Sequence, residues 1–282
     1  MILDDLKAKI ERIEGRTKRF VAAGEPQPAP WTLGLDNLDS ALPRQADGQT
    51  ALPYDACHDF TPLTQTDVPQ VAGFIFALLQ RLPQAQRRRR DHRSGPIVWC
   101  QTAFNAREYG RVYAPGLLGT SLSPQDFIFV NVPKERDLAL VLEECVRVPH
   151  IAAVVGEGPA PDFTASRRLT LAAQESHVPC LILNTGGEIR ASAAATRWRI
   201  APIAGPPDPL DPEGPGLAAW SITLARARGG NAALNSTLAS PLKAAWNHET
   251  HTFNLVSPFR PGTALESQAP YGQVQQQRSG QP

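Results

Sequence analysis

The chain has 282 residues, of which 42% are apolar. That is material for the core of one large α/β domain or two small ones. Its 28 basic and 27 acidic side chains give a formal net charge of +1, which excludes a chain-wide field that would gather phosphates and leaves only local patches to consider.

The first predicted element is an amphipathic helix within residues 2–20, because Ile2, Leu3, Leu6, Ile10 and Ile13 recur at helical spacing beside Lys7, Lys9, Glu11 and Arg12. Gly24, Pro26, Pro28 and Pro30 then impose an extended linker, so the helix reads as an arm over residues 1–24. In the lead-in segment 25–47, Leu35, Leu38 and Leu42 fit a short helix, and residues 48–52 form a candidate first strand. A polar loop is expected from there to Pro69, followed by an apolar helix over 71–82, a basic run over 86–93 and a buried strand over 96–101.

The alternation continues with a helical stretch over 105–113, a strand over 126–131, a helix over 134–148 and a strand over 150–155. Residues 162–176 read as a helix with Asp162 and Thr164 as candidate caps, and 178–183 as a short strand. Apolar strands separated by helices predict a mostly parallel sheet covered on both faces. Beyond Asn184, strands over 196–201, 217–228, 244–246 and 252–256 are expected to add antiparallel members at one edge. A glutamine-bearing tail over 259–282 has too few apolar residues for a core and is expected to be disordered. The main domain therefore spans 48–258.

Cys57, Cys100, Cys145 and Cys180 are widely spaced singletons without a CxxC pair and are expected to be reduced core thiols. The start MILDDLKAKIERIEG has no continuous apolar stretch, and no run approaches the roughly 18 apolar residues of a membrane span, so the expected location is the cytoplasm.

In their order, the pieces LGLDNLDSALP, GPIVWC, IAAVVGEG, TASRRLTLAAQESHVPCLIL, SAAATRWRIAP, WSITLARARGG and WNHETHTFNLV resemble the ImuA family over most of residues 31–257. That resemblance implies a RecA-like three-layer α/β core and a role in induced mutagenesis and translesion synthesis. It also implies partnership with ImuB, an inactive Y-family polymerase relative, beside an error-prone replicative-type DNA polymerase.

An active RecA-type ATPase places GxxxxGK[ST] after its first core strand, where glycines admit phosphate to backbone N–H groups, lysine reaches the terminal phosphates and the hydroxyl holds magnesium. Here the stretch PYDACHDFTPLTQTDVPQ has neither glycine nor lysine. Pro53, Pro62 and Pro69 remove donors, while Asp55, Asp59 and Asp67 bring negative charge, so the phosphate loop is degenerate and no nucleotide cofactor is expected. Glu157, two residues past an apolar run, lies near where such folds carry an acidic catalytic group, but without a phosphate loop it reads as a solvated loop carboxylate. His58 reads as a loop histidine. His248 and His251 have HxxH spacing on a strand and turn, which does not converge on a metal. No catalytic residue or metal ligand is nominated.

Two basic sets are candidate nucleic-acid contacts. Arg87, Arg88, Arg89, Arg90 and Arg93 put five guanidinium groups within seven residues, a cluster able to grip phosphate and equally able to serve as a solubilising insertion. Arg190 and Arg197 follow, near Arg167 and Arg168, although Arg197, Trp198, Arg199 and Ile200 also alternate as an edge strand would. Leu3, Leu6, Ile10 and Ile13 are candidate partner-binding residues, for self-association or a different protein. The reading is a non-enzymatic adaptor that binds an ImuB-like partner and, as a further candidate, single-stranded DNA. Its alternatives are a RecA-like ATPase with a rebuilt site and a regulator that inhibits RecA or a cell-division partner.

Overall fold

The computed structural model describes residues 29–83, 95–117, 120–148, 150–187, 190–207, 211, 213–214, 216–230 and 240–256. The predicted arm, tail and arginine run at 87–90 and 93 lie outside these residues. The strands are β1 (Cys57–Pro62), β2 (Ile97–Thr102), β3 (Phe127–Val132), β4 (Ala153–Gly158), β5 (Cys180–Asn184), β6 (Thr196–Pro202), β7 (Ala219–Ala227), β8 (Leu242–Asn247) and β9 (Thr252–Leu255). The helices are α1 (Asp36–Asp39), α2 (Val68–Gln80), α3 (Ala103–Glu108), α4 (Leu138–Val146) and α5 (Phe163–Ser176). None of the described helices is long and apolar enough to cross a membrane.

All nine strands form one sheet in the order β3-β2-β4-β5-β1-β6-β7-β8-β9. The first six are mutually parallel and the last three antiparallel, giving a RecA-like core with an antiparallel wing. One face packs on α2, where Val71, Phe74, Ile75 and Leu78 meet Phe60, Leu183 and Trp198. On the other face Leu138 and Leu142 of α4 and Leu169 and Ala173 of α5 meet Val98, Val154 and Ile182. The α5 start was legible: Asp162 caps it by accepting the Ala165 N–H at 2.7 Å.

Two elements differ from the expectation. Residues 48–52 contribute only an isolated bridge between Arg44 and Thr50, and the first strand is β1, inside the stretch read as a polar loop. Every residue of β1 is buried, because it lies between β5 and β6 in the sheet and under helices on both faces. The second difference is β6, which is internal and parallel to β1, not an antiparallel edge. The connection from β5 returns past α5, where Ala193 donates to Ser166 Oγ (3.0 Å), and so delivers the chain to the start of the sheet for another parallel pass.

The lead-in segment is part of the core. Trp31, Leu33, Leu38, Leu42 and Leu52 are buried on the α2 face. Asp39 holds the turn before α1 by accepting the N–H groups of Leu33, Gly34 and Leu35 at 2.7–2.9 Å. Gly34 sits at φ +77°, and a Cβ there would lie 2.9 Å from the Arg81 guanidinium. Arg81 in turn donates to Thr32 O (2.7 Å) and His251 O (3.0 Å), tying this segment to the end of α2 and to the β8–β9 turn. Replacing Asp39 by Ala leaves three amides without their acceptor, and a urea-denaturation series should show a loss of about 3 kcal/mol.

His58 is a buried strand residue, contrary to the loop reading, and belongs to a chain of hydrogen bonds. The Pro53 carbonyl, 3.0 Å from Nε2, can only accept, which places the imidazole proton on Nε2 and leaves Nδ1 to accept from the Thr196 hydroxyl (2.8 Å); Thr196 Oγ1 in turn accepts from Trp198 Nε1 at 2.7 Å. Burial pushes its pKa down to about 4, with the Pro53 carbonyl opposing. The unfolded chain, titrating near 6.5, takes up the proton first as pH falls, so stability is lost between about pH 6.5 and pH 4. The stability lost through His58 should reach about 3 kcal/mol below that window. Denaturation midpoints across this range should fall more steeply in the native chain than in His58→Gln.

Candidate functional site at the carboxyl edge of the sheet

In an open parallel sheet, ligand sites gather beyond the carboxyl ends of the strands. Here β1 passes to α2 through only five residues, 63–67. Their polar groups are turned on one another. Asp67 Oδ2 accepts the Thr64 N–H at 2.9 Å, the Thr64 side chain accepts the Asp67 backbone N–H, and Thr64 Oγ1 meets Thr66 Oγ1 at 2.8 Å. Pro69 removes a further donor from the first turn of α2. A carboxylate of the chain itself thus stands beside the helix start, bonded to the Thr64 N–H and not to the α2 amides, and glycine, which would let a phosphate reach the backbone, is absent from the connection.

The placement of the connection revises the sequence reading without restoring the motif. Of the residues assigned to a degenerate loop, Asp59 is buried in β1 and faces Arg197, while Asp67 does stand at the helix start.

Glu157 is a correction. It is the fifth residue of β4, buried to 4% exposure, and not a solvated loop carboxylate. The apolar run ends at Val155, but the strand continues because Gly156 and Gly158 let α4 lie directly on it: a Cβ at either would come within 2.5 Å of Leu142 or Leu138. Glu157 Oε2 accepts from Trp99 Nε1 (3.0 Å) and Oε1 from Gln101 Nε2 (2.9 Å). Burial pushes its carboxyl above the usual carboxylate range, and these two hydrogen bonds only partly offset that.

Glu157 lines a cavity of about 350 Å³ between α2, residues of 109–117 with Thr120, and the β7–β8 wing. Ala72, Gly73 and Phe76 of α2 line it together with Tyr109, Tyr113 and Trp220, the last beside Gly73. Gln101 joins floor to wall by also donating to Gly110 O at 2.7 Å. Sequence reasoning missed this cavity because its lining comes from widely separated stretches; the one local signal was the small pair Ala72 and Gly73 within the apolar helix. Other polar groups at the strand ends are used locally. Asn105 Nδ2 donates to Thr185 Oγ1 (2.9 Å), and Asn184 Oδ1 accepts the N–H groups of Ala160 and Gly186 (3.1 Å each).

The candidate arginines lie elsewhere. Arg197 is on the α5 face of β6, with Nε 3.7 Å from Asp59 Oδ2 and Nη2 donating to Arg190 O at 2.6 Å, so the structure joins the two residues and commits the Arg197 head. Arg190 is exposed. Arg168 pairs with Glu143 at 2.6 Å and clamps α5 to α4. His248 and His251 flank the β8–β9 turn, and the described residues hold no cluster of three or more His, Cys, Asp or Glu able to bind a metal. Cys57, Cys100 and Cys180 are buried thiols and Cys145 is half-buried.

The strand order, the antiparallel wing and the self-capped β1–α2 connection define a RecA-like protein without a phosphate cradle. No protein-family model matches the chain. It is 30% identical over 248 residues to Protein ImuA of Caulobacter vibrioides, a match covering 83% of this chain and 92% of that protein in strain NA1000 / CB15N, with the same values in strain ATCC 19089 / CIP 103742 / CB 15. The chain belongs to the ImuA family.

Any ligand that binds the folded state alone raises its melting temperature. Millimolar Mg-ATP should therefore leave the thermal midpoint of the purified protein unchanged; a concentration-dependent rise would show a nucleotide site in spite of the capped connection.

Proposed function

We propose that this protein is a non-enzymatic accessory factor in DNA-damage-induced mutagenesis, acting in the cytoplasm through an ImuB-like inactive Y-family polymerase relative. The observation that carries the reading is the β1–α2 connection. A family member with a RecA-like core carries a glycine-free connection closed on itself by Thr64 and Asp67, which favours use of the scaffold as a surface for partners. An error-prone replicative-type polymerase is reached indirectly, through that partner. Single-stranded DNA contact belongs to the same proposal and falls to Arg190 and the arginines at 87–90 and 93. The amino-terminal arm, through Leu3, Leu6, Ile10 and Ile13, is proposed as an assembly or partner element.

The test is genetic and biochemical. A strain lacking the gene should lose damage-induced mutations, and the full chain carrying Thr64→Ala and Thr66→Ala should restore them as well as the native chain, while co-purifying the ImuB-like protein from damaged cells. A nucleotide enzyme working through this connection predicts the reverse. ATP turnover abolished by Glu157→Gln, or recovery of RecA or division proteins without the ImuB-like partner, would overturn the adaptor reading.

A further inference from the structure

The cavity over α2 combines features that select a particular chemistry. Its volume of about 350 Å³ lies at the low end of ligand sites, which run roughly 300–1,000 Å³, and suits one or two side chains. At its floor each Glu157 oxygen accepts one hydrogen bond, from Trp99 on one side and Gln101 on the other. Both donors are neutral, and each oxygen keeps a lone pair. A carboxylate buried to this degree is normally paired with a cation. The walls are aromatic, from Phe76, Tyr109, Tyr113 and Trp220, and Ala72 and Gly73 leave the space between them.

We propose that this cavity is the receptor for an arginine side chain presented by a protein partner, with Glu157 accepting the guanidinium fork at the floor. The inference deepens the adaptor reading and rests on it. Arginine is favoured over lysine because its planar fork matches the two vacant lone pairs and its flat face packs on aromatic rings, while the apolar stem lies along Ala72 and Gly73. A nucleotide is disfavoured, since a carboxylate floor offers its anionic phosphate no attraction. Arg111 also lines the cavity, but it is exposed, and water screens its repulsion of an incoming cation.

Calorimetric titration of the full chain with acetyl-Gly-Arg-Gly-amide, and with the same peptide carrying neutral citrulline in place of arginine, tests this directly. The arginine peptide should bind about tenfold more tightly than the citrulline peptide. Glu157→Gln should erase that difference. Gly73→Leu should weaken both peptides while the protein stays folded by circular dichroism, because a Cβ at Gly73 meets only Trp220, at 3.7 Å, and the longer side chain fills the cavity. Equal binding of the two peptides overturns the proposal, as does an arginine preference that survives in both variants. Binding of deoxycytidine monophosphate without arginine preference would assign the cavity to a base instead. Restored mutagenesis in cells with no arginine preference in vitro would sink the receptor and leave the adaptor standing; arginine preference with failed restoration would do the opposite.

Discussion

The rest of the molecule depends on a strand of mixed polarity lying at the centre of its sheet. β1, with sequence CHDFTP, is buried along its whole length, so the polar groups of His58 and Asp59 must find partners within the protein. On β6, Thr196 stands opposite and bonds His58, and Arg197 stands opposite and pairs with Asp59, while Pro53 O and the Ser192 side chain complete the two sets. A slip of one residue would turn these partners to the wrong faces and set Trp198 against α5 instead of Phe60. The polar contacts therefore fix the register of β6 on β1, and the antiparallel wing is built outward from that register.

The same strand explains what the sequence could and could not disclose. β2, β4 and β5 were legible because apolar runs with helices between them have few other uses, and α5 because Asp162 announces its start. β1 was not, since three polar residues and a terminal proline look like a loop until β5 and β6 are known to cover it. Glu157 was misplaced for a related reason. Its apolar run stops at Val155, but glycines at 156 and 158 continue the strand where α4 presses closest, and glycine in a sequence reads as an end. The cavity was illegible altogether, because it exists only once Tyr109 and Tyr113, Gly73, and Trp220 are brought together across the sheet edge.

The two faces of the sheet have been put to different uses. On the α4–α5 face packing is tight: small residues admit the helices, and Glu143 is held by both Arg147 and Arg168. Arg197 is spent on Asp59 within that face, which leaves it poorly placed to offer its charge to a phosphate. On the α2 face the helix is pinned at its far end by Arg81 and by Trp31 donating to Leu78 O (3.1 Å), while its outer surface stays open where Ala72 and Gly73 lack bulk. The cavity and its aromatic walls thus lie on the α2 side of the sheet.

Glu157 stands where these two arrangements meet, and its buried charge is the informative fact. In a nucleotide-binding RecA-type protein, an acidic group at the end of this strand would face a metal and phosphates; here the Asp67 carboxylate stands at the head of α2, where it would repel a phosphate. Replacing the carboxylate with an apolar side chain would relieve the cost of burying it, since neutral donors such as Trp99 and Gln101 repay only part of that cost. Departures from the most stable choice collect at sites kept for another purpose. A buried carboxylate with neutral neighbours and aromatic walls is costly for folding alone, and becomes economical when a partner supplies the missing cation.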